Sequence, residues 1–385
     1  IDPIQFAYYL QDKIELDQFI INAGVRFDYF DPDYQVPKEW AQASEEYIPD
    51  PDNPSDSLYN RKDAKPKYQV SPRLAVAFPI SSNGVIRFSY GLFFQVPNYS
   101  QLYANPEYDY NPQAEVTSYG NPNIRPQSTS TFEIGLQQGF TRTMGMELTI
   151  YTKDIRNLIA TDYERSVQGA SRAAYFVNRD YGTVRGLTLS IYKRLMRSKI
   201  GWNLDYTLQL ANGSYALSGE QLQRELAGLE NTLTLGRLDW DRRHVLNARL
   251  NYRPIDDLRI SMINRFMSGR PYTTTRNFVT SYIPNNDDMP PRITTDLRVF
   301  YKPFFLKQDV RLFLQVDNLF DLKVVNNVYN DSGNATETPT KERIEEQIEK
   351  GQFRILGVNN LDDYYYRQDF FGAPRMISVG LDIDF

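Results

Sequence analysis

Near the end of the chain, Ile377, Val379, Leu381, Ile383 and Phe385 fall on one parity, and Ser378, Gly380, Asp382 and Asp384 on the other. Successive side chains of a strand point to opposite faces, so this pattern predicts one apolar face and one polar or small face. The alternation recurs along the chain, and segments at about 3–13, 16–30, 68–79, 84–96, 129–141, 144–158, 174–196, 199–212, 241–254, 257–268, 292–303, 308–320 and 374–385 read as strands. Trp202, Leu204, Tyr206, Leu208 and Leu210 oppose Asn203, Asp205, Thr207 and Gln209. Such strands suit a wall with lipid on one side and water on the other. That reading predicts Leu204, Leu208, Leu312, Leu314, Leu381 and Ile383 toward lipid, and Asp205, Arg298, Gln315 and Asp382 toward a lumen. The opposite register would set charge against hydrocarbon, at about 2–4 kcal/mol for a mid-membrane Arg.

The connections alternate too. Short turns are predicted at 15–17, 81–84, 141–143, 197–198, 254–257 and 305–307, and long loops at 31–67, 97–128, 159–173, 213–240, 269–291 and 321–373. Asn83-Gly84 reads as a hairpin signal because both residues tolerate positive φ. Short periplasmic turns and long extracellular loops are the pattern of bacterial outer-membrane barrels. The fold class is therefore all-β, a transmembrane antiparallel β-barrel. About 13 strands is an odd count, and the first segment precedes a short turn, so it runs down from the cell surface. The expectation is a single domain over 1–385 that forms the C-terminal part of a larger barrel. Its first and last strands would then offer unpaired edges.

Composition agrees. The sequence has no run of 18 apolar residues, so no membrane-spanning helix is predicted. Its 28 Tyr and 22 Phe suit aromatic girdles at the two membrane interfaces. Cysteine is absent and there is one His, which excludes a disulfide scaffold, a Cys-ligated metal site and a His-based metal cluster. A net charge of −5 offers no electrostatic case for nucleic acid.

Several motifs carry a family resemblance. The run Asp2-Pro3-Ile4-Gln5-Phe6-Ala7-Tyr8-Tyr9-Leu10-Gln11-Asp12-Lys13, followed by Ile20-Ile21-Asn22-Ala23-Gly24-Val25-Arg26-Phe27-Asp28, resembles the mid-barrel hairpin of TonB-dependent outer-membrane receptors. Ser71-Pro72-Arg73, the stretch Gly120-Asn121-Pro122-Asn123-Ile124-Arg125-Pro126-Gln127, and Val316-Asp317-Asn318-Leu319-Phe320-Asp321 are similar to later signatures of that family, in its order. The flavour is that of receptors from Bacteroidetes-like bacteria. The resemblance implies a barrel of about 22 strands, with an amino-terminal plug, a TonB box and the first strands outside this sequence. It further implies TonB-dependent import of a scarce ligand across the bacterial outer membrane. The ligand class stays open between glycan or peptide and iron chelate or corrinoid. Implied partners are outer-membrane lipid, the TonB system through the missing amino-terminal part, the barrel-insertion machinery that reads a C-terminal Phe385, and a surface lipoprotein. The alternatives are a barrel scaffold within an outer-membrane protein complex, and a passive porin.

No enzyme motif is found: there is no G-x-S-x-G, P-loop or H-E-x-x-H. The expectation is no catalytic residue, no metal and no cofactor. His244, in Asp241-Arg242-Arg243-His244, reads as a polar wall residue. Ligand-contact candidates are the exposed aromatic residues of two loops: Tyr99, Tyr103, Tyr108, Tyr110 and Tyr119, then Tyr364, Tyr365, Tyr366 and Arg367. Tyrosine rings stack on sugars or aromatic chelates, and Arg367 offers a charged donor. For any one of them, packing among loops is the simpler reading. Acidic stretches at 50–56 and 285–288 carry oxygen ligands without EF-hand spacing and read as surface loops. A helix is predicted over 339–350, capped by Thr338, opened by Pro339 and ended by Gly351.

Overall fold

The structure, a computed structural model, describes residues 2–384 other than 50–56, 112, 115, 166–171, 197–198, 215–234, 277–278, 281–282, 304–308 and 353–359. Thirteen antiparallel strands follow one another in a single wall: β1 Ile4–Glu15, β2 Ile20–Asp31, β3 Lys67–Ser81, β4 Gly84–Gln95, β5 Gln127–Gly139, β6 Met144–Arg165, β7 Arg172–Lys193, β8 Ile200–Gly213, β9 His244–Ile255, β10 Leu258–Met267, β11 Arg292–Tyr301, β12 Asp309–Asp317 and β13 Met376–Asp384. Each predicted segment corresponds to one wall strand. Among the described residues no pairing joins β1 to β13, so each has one neighbour in the wall.

Register sorts the faces. Asp205 lies opposite Ser190, Gln315 opposite Ser378, and Asp382 opposite Arg311. Leu312 faces Leu381 and Leu314 faces Val379. Opposed residues share a face, so the polar and apolar sets fall on opposite sides of the wall, as the alternation predicts. The polar face is cross-linked from strand to strand. Arg87 pairs with Glu147 and donates to Thr149 at 3.1 Å. Ser190 donates to Asp205 at 2.7 Å, Arg265 pairs with Asp296, and Arg311 with Asp382 at 3.0 Å. On the apolar face Ile150 is 54 % exposed although its strand is paired on both sides, so its partner is the bilayer.

A one-layer wall has no core of its own. The buried hydrophobic residues gather instead where the loops fold against the surface ends of the strands. One cluster holds Ala43, Tyr108, Tyr119, Ala173 and Tyr175, and a second holds Phe30, Leu102, Ile124 and Ile159. β6 and β7 supply the platform. The sequence places a loop at 159–173, yet these strands pair from Arg156 with Tyr181 onward to Arg165 with Arg172. Asn157 explains the discrepancy. It sits at a bulge with φ +61, where the alternation breaks without ending the ladder. Small strand pairs also brace the loops, among them Gln35–Pro37 with Arg61–Asp63.

The turn between β3 and β4 forms as predicted but for a different reason. Neither Asn83 nor Gly84 is among the positive-φ residues. Gly84 opens β4 where a Cβ would displace the end of the Gln138 side chain, 2.5 Å away, and the Ser81 hydroxyl. In the last loop, helix α2 Pro339–Glu349 matches its prediction. The Thr338 hydroxyl accepts from the Thr340 amide at 3.2 Å, and Gly351 ends the helix with φ +69. Phe385, the acidic stretch 50–56 and the turn 197–198 lie outside the described residues, as does the side chain of Ile383.

Candidate ligand-binding surface

The loop candidates fall into two groups. In the first, helix α1 Tyr99–Tyr103 begins at Asn98, whose side chain and that of Gln101 form a reciprocal cap. Tyr103 donates to the Pro32 carbonyl at 2.8 Å and meets Tyr34 edge-on. Tyr108, 3 % exposed and at φ +58, donates to the Gln35 carbonyl at 2.9 Å. The Arg61 guanidinium lies 4.9 Å from its ring centre. Tyr119 is buried beside Tyr108, and Trp40 stacks on Tyr175 at 4.3 Å. Burial raises the Tyr108 and Tyr119 hydroxyls above the usual phenol range and, aided by Tyr99, Asp31 and Asp33, pushes Tyr103 up to about 12. Tyr103, Tyr108 and Tyr119 thus build the loop layer, Tyr110 is half-buried, and Tyr99 is exposed.

The motif Gly120–Gln127 has a physical role here. The Gly120 amide donates to Ala104 at 2.7 Å and the Asn121 amide to Gln101 at 2.9 Å. The Asn121 side chain reaches the Phe176 carbonyl of β7 at 2.7 Å. A Cβ on Gly120 would lie 2.4 Å from the Ala104 nitrogen. Beside this layer opens a cleft of about 790 Å³, lined by Asp31, Asp33, Glu46, Asp63, Glu107 and Arg61 among others.

The second group is in the last loop. Helix α3 Leu361–Tyr365, the shorter of two in that loop, is capped by the Asn360 side chain, which accepts from Asp363 at 2.7 Å. Tyr329 donates to the Tyr365 carbonyl and packs 5.0 Å from Phe370. Tyr364 and Tyr366 are exposed, and Tyr365 is half-buried. Arg367 is held by Asp369 through two bonds of 2.9 Å and lies 5.2 Å from the Phe370 ring, so it is already partnered. Among the described residues no ring contact joins the two groups.

Sequence reasoning missed a third feature. Arg242, Arg270 and Arg292 stand at the surface ends of neighbouring strands and meet around the last loop. Arg270 and Arg292 both donate to the Asn326 carbonyl, at 3.3 and 3.2 Å, and Arg292 also reaches Val325 at 2.8 Å. Arg242 donates to the Ser268 carbonyl at 3.4 Å. The available signal was positional, an Arg at each of three adjacent surface-side strand ends.

The remaining candidates are structural. Asp241 is buried, accepts from the Ala211 amide and Arg237, both at 2.9 Å, and so fixes the entry to β9. His244 meets the Tyr206 hydroxyl at 2.8 Å on the wall. In the stretch 285–288, Asn285 donates to the Arg237 carbonyl at 2.7 Å and Asp288 pairs with Arg237. Among the described residues no cluster could hold a metal ion.

Among curated proteins none matches the sequence. Several solved structures are similar. The ferric-catecholate import receptor Fiu of E. coli K12 is 15 % identical, with a TM-score of 0.53, over 86 % of this chain and 42 % of that one. The copper transporter OprC is 12 % identical, with a TM-score of 0.57, over 100 % and 50 %. The outer membrane transporter YddB from Escherichia coli is 10 % identical, with a TM-score of 0.57, over 85 % and 51 %. At these identities the likeness shows the fold, and the chain spans about half the length of these proteins or less. The sequence pattern of the family described as "TonB dependent receptor-like, beta-barrel" matches residues 2–319. That match covers most of a chain whose wall has the strand order and two-faced register of an outer-membrane barrel, and the chain belongs to this family of bacterial outer-membrane receptors.

Proposed function

We propose that the chain forms wall and outer loops of an active importer, in which the loops capture a scarce ligand and TonB, acting on a plug outside these residues, opens a path along the polar face. The family match over residues 2–319 carries this reading. The polar face supports it with a hydrogen-bonded, charged surface suited to a hydrated path. The chain would supply no covalent chemistry. Solved neighbours include receptors for ferric catecholate and ferripyoverdine. The ligand class for the exposed Tyr99, Tyr364 and Tyr366 stays open between glycan or peptide and iron chelate or corrinoid, and these neighbours favour the second pair.

The test uses the full-length receptor expressed in paired strains with and without TonB. Bound ligand is identified by mass spectrometry, and its uptake is then measured. Uptake only with TonB is the expected result. Equal uptake in both strains would identify a passive pore. A receptor that carries no ligand and co-purifies in fixed ratio with envelope proteins would be a scaffold.

A further inference from the structure

The arginine group at the surface ends of β9–β11 has more donors than its surroundings use. Each guanidinium offers five N–H donors. Beyond the carbonyl bonds given above, the one further side-chain hydrogen bond of the group among the described residues is from Arg242 to the Met267 sulfur at 3.8 Å. All these acceptors are neutral, and the Arg270 Nε is buried with no partner. Among the described residues none of the three forms an ion pair. Asp239 is the acidic neighbour that Arg270 influences, yet no ion pair joins them; burial raises the pKa of its carboxyl, against the pull of Arg270. Burial, with Arg292 and Arg270 close by, draws the Arg242 guanidinium below its usual range.

Placement bears on what fills this gap. Met267 and Arg292 are register partners, and Arg292 shares the parity of Asp296, so the group opens on the polar side of the wall. Its carbonyl partners belong to a pinned segment: the Asn326 amide donates to Phe370 at 2.7 Å, and Val325 bridges Phe371. The aromatic group of Tyr329, Tyr365 and Phe370 is therefore attached to the same segment. Three like charges held together, with Asp239 near Arg270 but in no ion pair with it, favour an anion, and guanidinium forks match carboxylate and phosphate oxygens in bidentate geometry.

We propose that Arg242, Arg270 and Arg292 form a subsite for a carboxylate or phosphate group of the imported ligand, so that the receptor selects anionic solutes. The subsite rests on the import reading, but its test does not depend on energised uptake. The full-length receptor, purified in detergent, is titrated by calorimetry with citrate, with inorganic phosphate and with neutral maltose. Saturable binding of at least one anion and none of maltose is expected. Arg270→Gln and Arg242→Gln should each weaken it about tenfold or more, while Arg270→Lys retains part of it. Arg242→Gln removes only a long carbonyl bond and a sulfur contact, so it stays informative if Arg270→Gln fails to fold. Failure of the wild type to bind either anion overturns the proposal, as does unchanged binding by folded Arg242→Gln. A structure of the full-length receptor with its own carboxylate paired to Arg270 also overturns it, because the counter-charge would then be internal. Transport that fails to depend on TonB, with anion binding intact, would sink the import reading alone.

Discussion

Asn60 is wholly buried and uses both ends of its amide on the backbone of the first loop. Its oxygen accepts from Lys38 at 3.1 Å and Glu39 at 3.0 Å, and its nitrogen donates to Gln42 at 2.8 Å and Glu45 at 3.2 Å. Asn60→Leu leaves these buried groups unpaired, at about 1–3 kcal/mol for each. Hydrogen exchange over residues 38–46 should then rise sharply while exchange in the wall strands stays as it was. Gly120→Ala should undock α1, because the new methyl group collides with the helix backbone at Leu102, Tyr103 and Ala104 while the adjacent Asn121 stays tied to β7. Loss of amide protection at Gly120 and Asn121, which donate to the Ala104 and Gln101 carbonyls, would show it. The buried tyrosines give the loop layer a pH limit. A phenol whose folded pKa is raised contributes stability below its unfolded pKa of about 10, and this contribution is lost as pH rises through the folded value. The layer should therefore loosen as pH rises past about 10, with Tyr103 ionising at about 12 and the more deeply buried Tyr108 after it. Near-ultraviolet tyrosinate absorbance would follow it, and titration of all tyrosines near 10 would contradict it.

Strands were legible in the sequence because lipid and water impose opposite demands on alternate residues. Ile150→Arg on the apolar face should cost about 2–4 kcal/mol near the midplane, seen as lost outer-membrane yield. Gln137→Arg, exposed on the polar face of the neighbouring strand opposite Glu147, should be tolerated. Where neither solvent dictates a period, the reading failed. The brace Gln35–Pro37 with Arg61–Asp63 and the helices α1 and α3 are held by local caps and buried rings, which leave no repeat to count. The extension of β6 was hidden by a single residue. Asn157→Val should destabilise the upper half of the β6–β7 ladder by about 1–3 kcal/mol, because a branched residue resists positive φ; Asn157→Gly should cost less, because it keeps the positive φ and loses the side-chain bond to the Pro126 carbonyl. For the site, loop composition located the tyrosines but could not tell Tyr108, a core residue, from Tyr364, an exposed one. The arginine group was out of reach, because positions 242, 270 and 292 converge only once the register of β9, β10 and β11 is fixed.

On the scale of the molecule, two strand edges decide what surrounds the wall. Among the described residues β1 and β13 each have one neighbour in the wall, and unsatisfied backbone is not tolerated in hydrocarbon. We expect both edges to pair with strands outside these residues in the intact receptor. Cysteine pairs between Val379 and an introduced site on the expected partner strand should cross-link in membranes, whereas a direct cross-link between β13 and β1 would refute the larger barrel. Removing Phe385 should lower insertion when the assembly machinery is limiting. The one-layer wall, with its buried side chains displaced into the loops, has a further thermodynamic meaning. Its apolar face is completed by acyl chains, so the bilayer acts as a ligand that binds the folded wall and not the dispersed chain. By mass action, unfolding temperature then becomes a property of the pair. It should move with acyl-chain length as the hydrocarbon thickness departs from the apolar band, and the loop layer, whose clusters include Phe30, Ile159, Ala173 and Tyr175 of the wall strands, should melt with the wall.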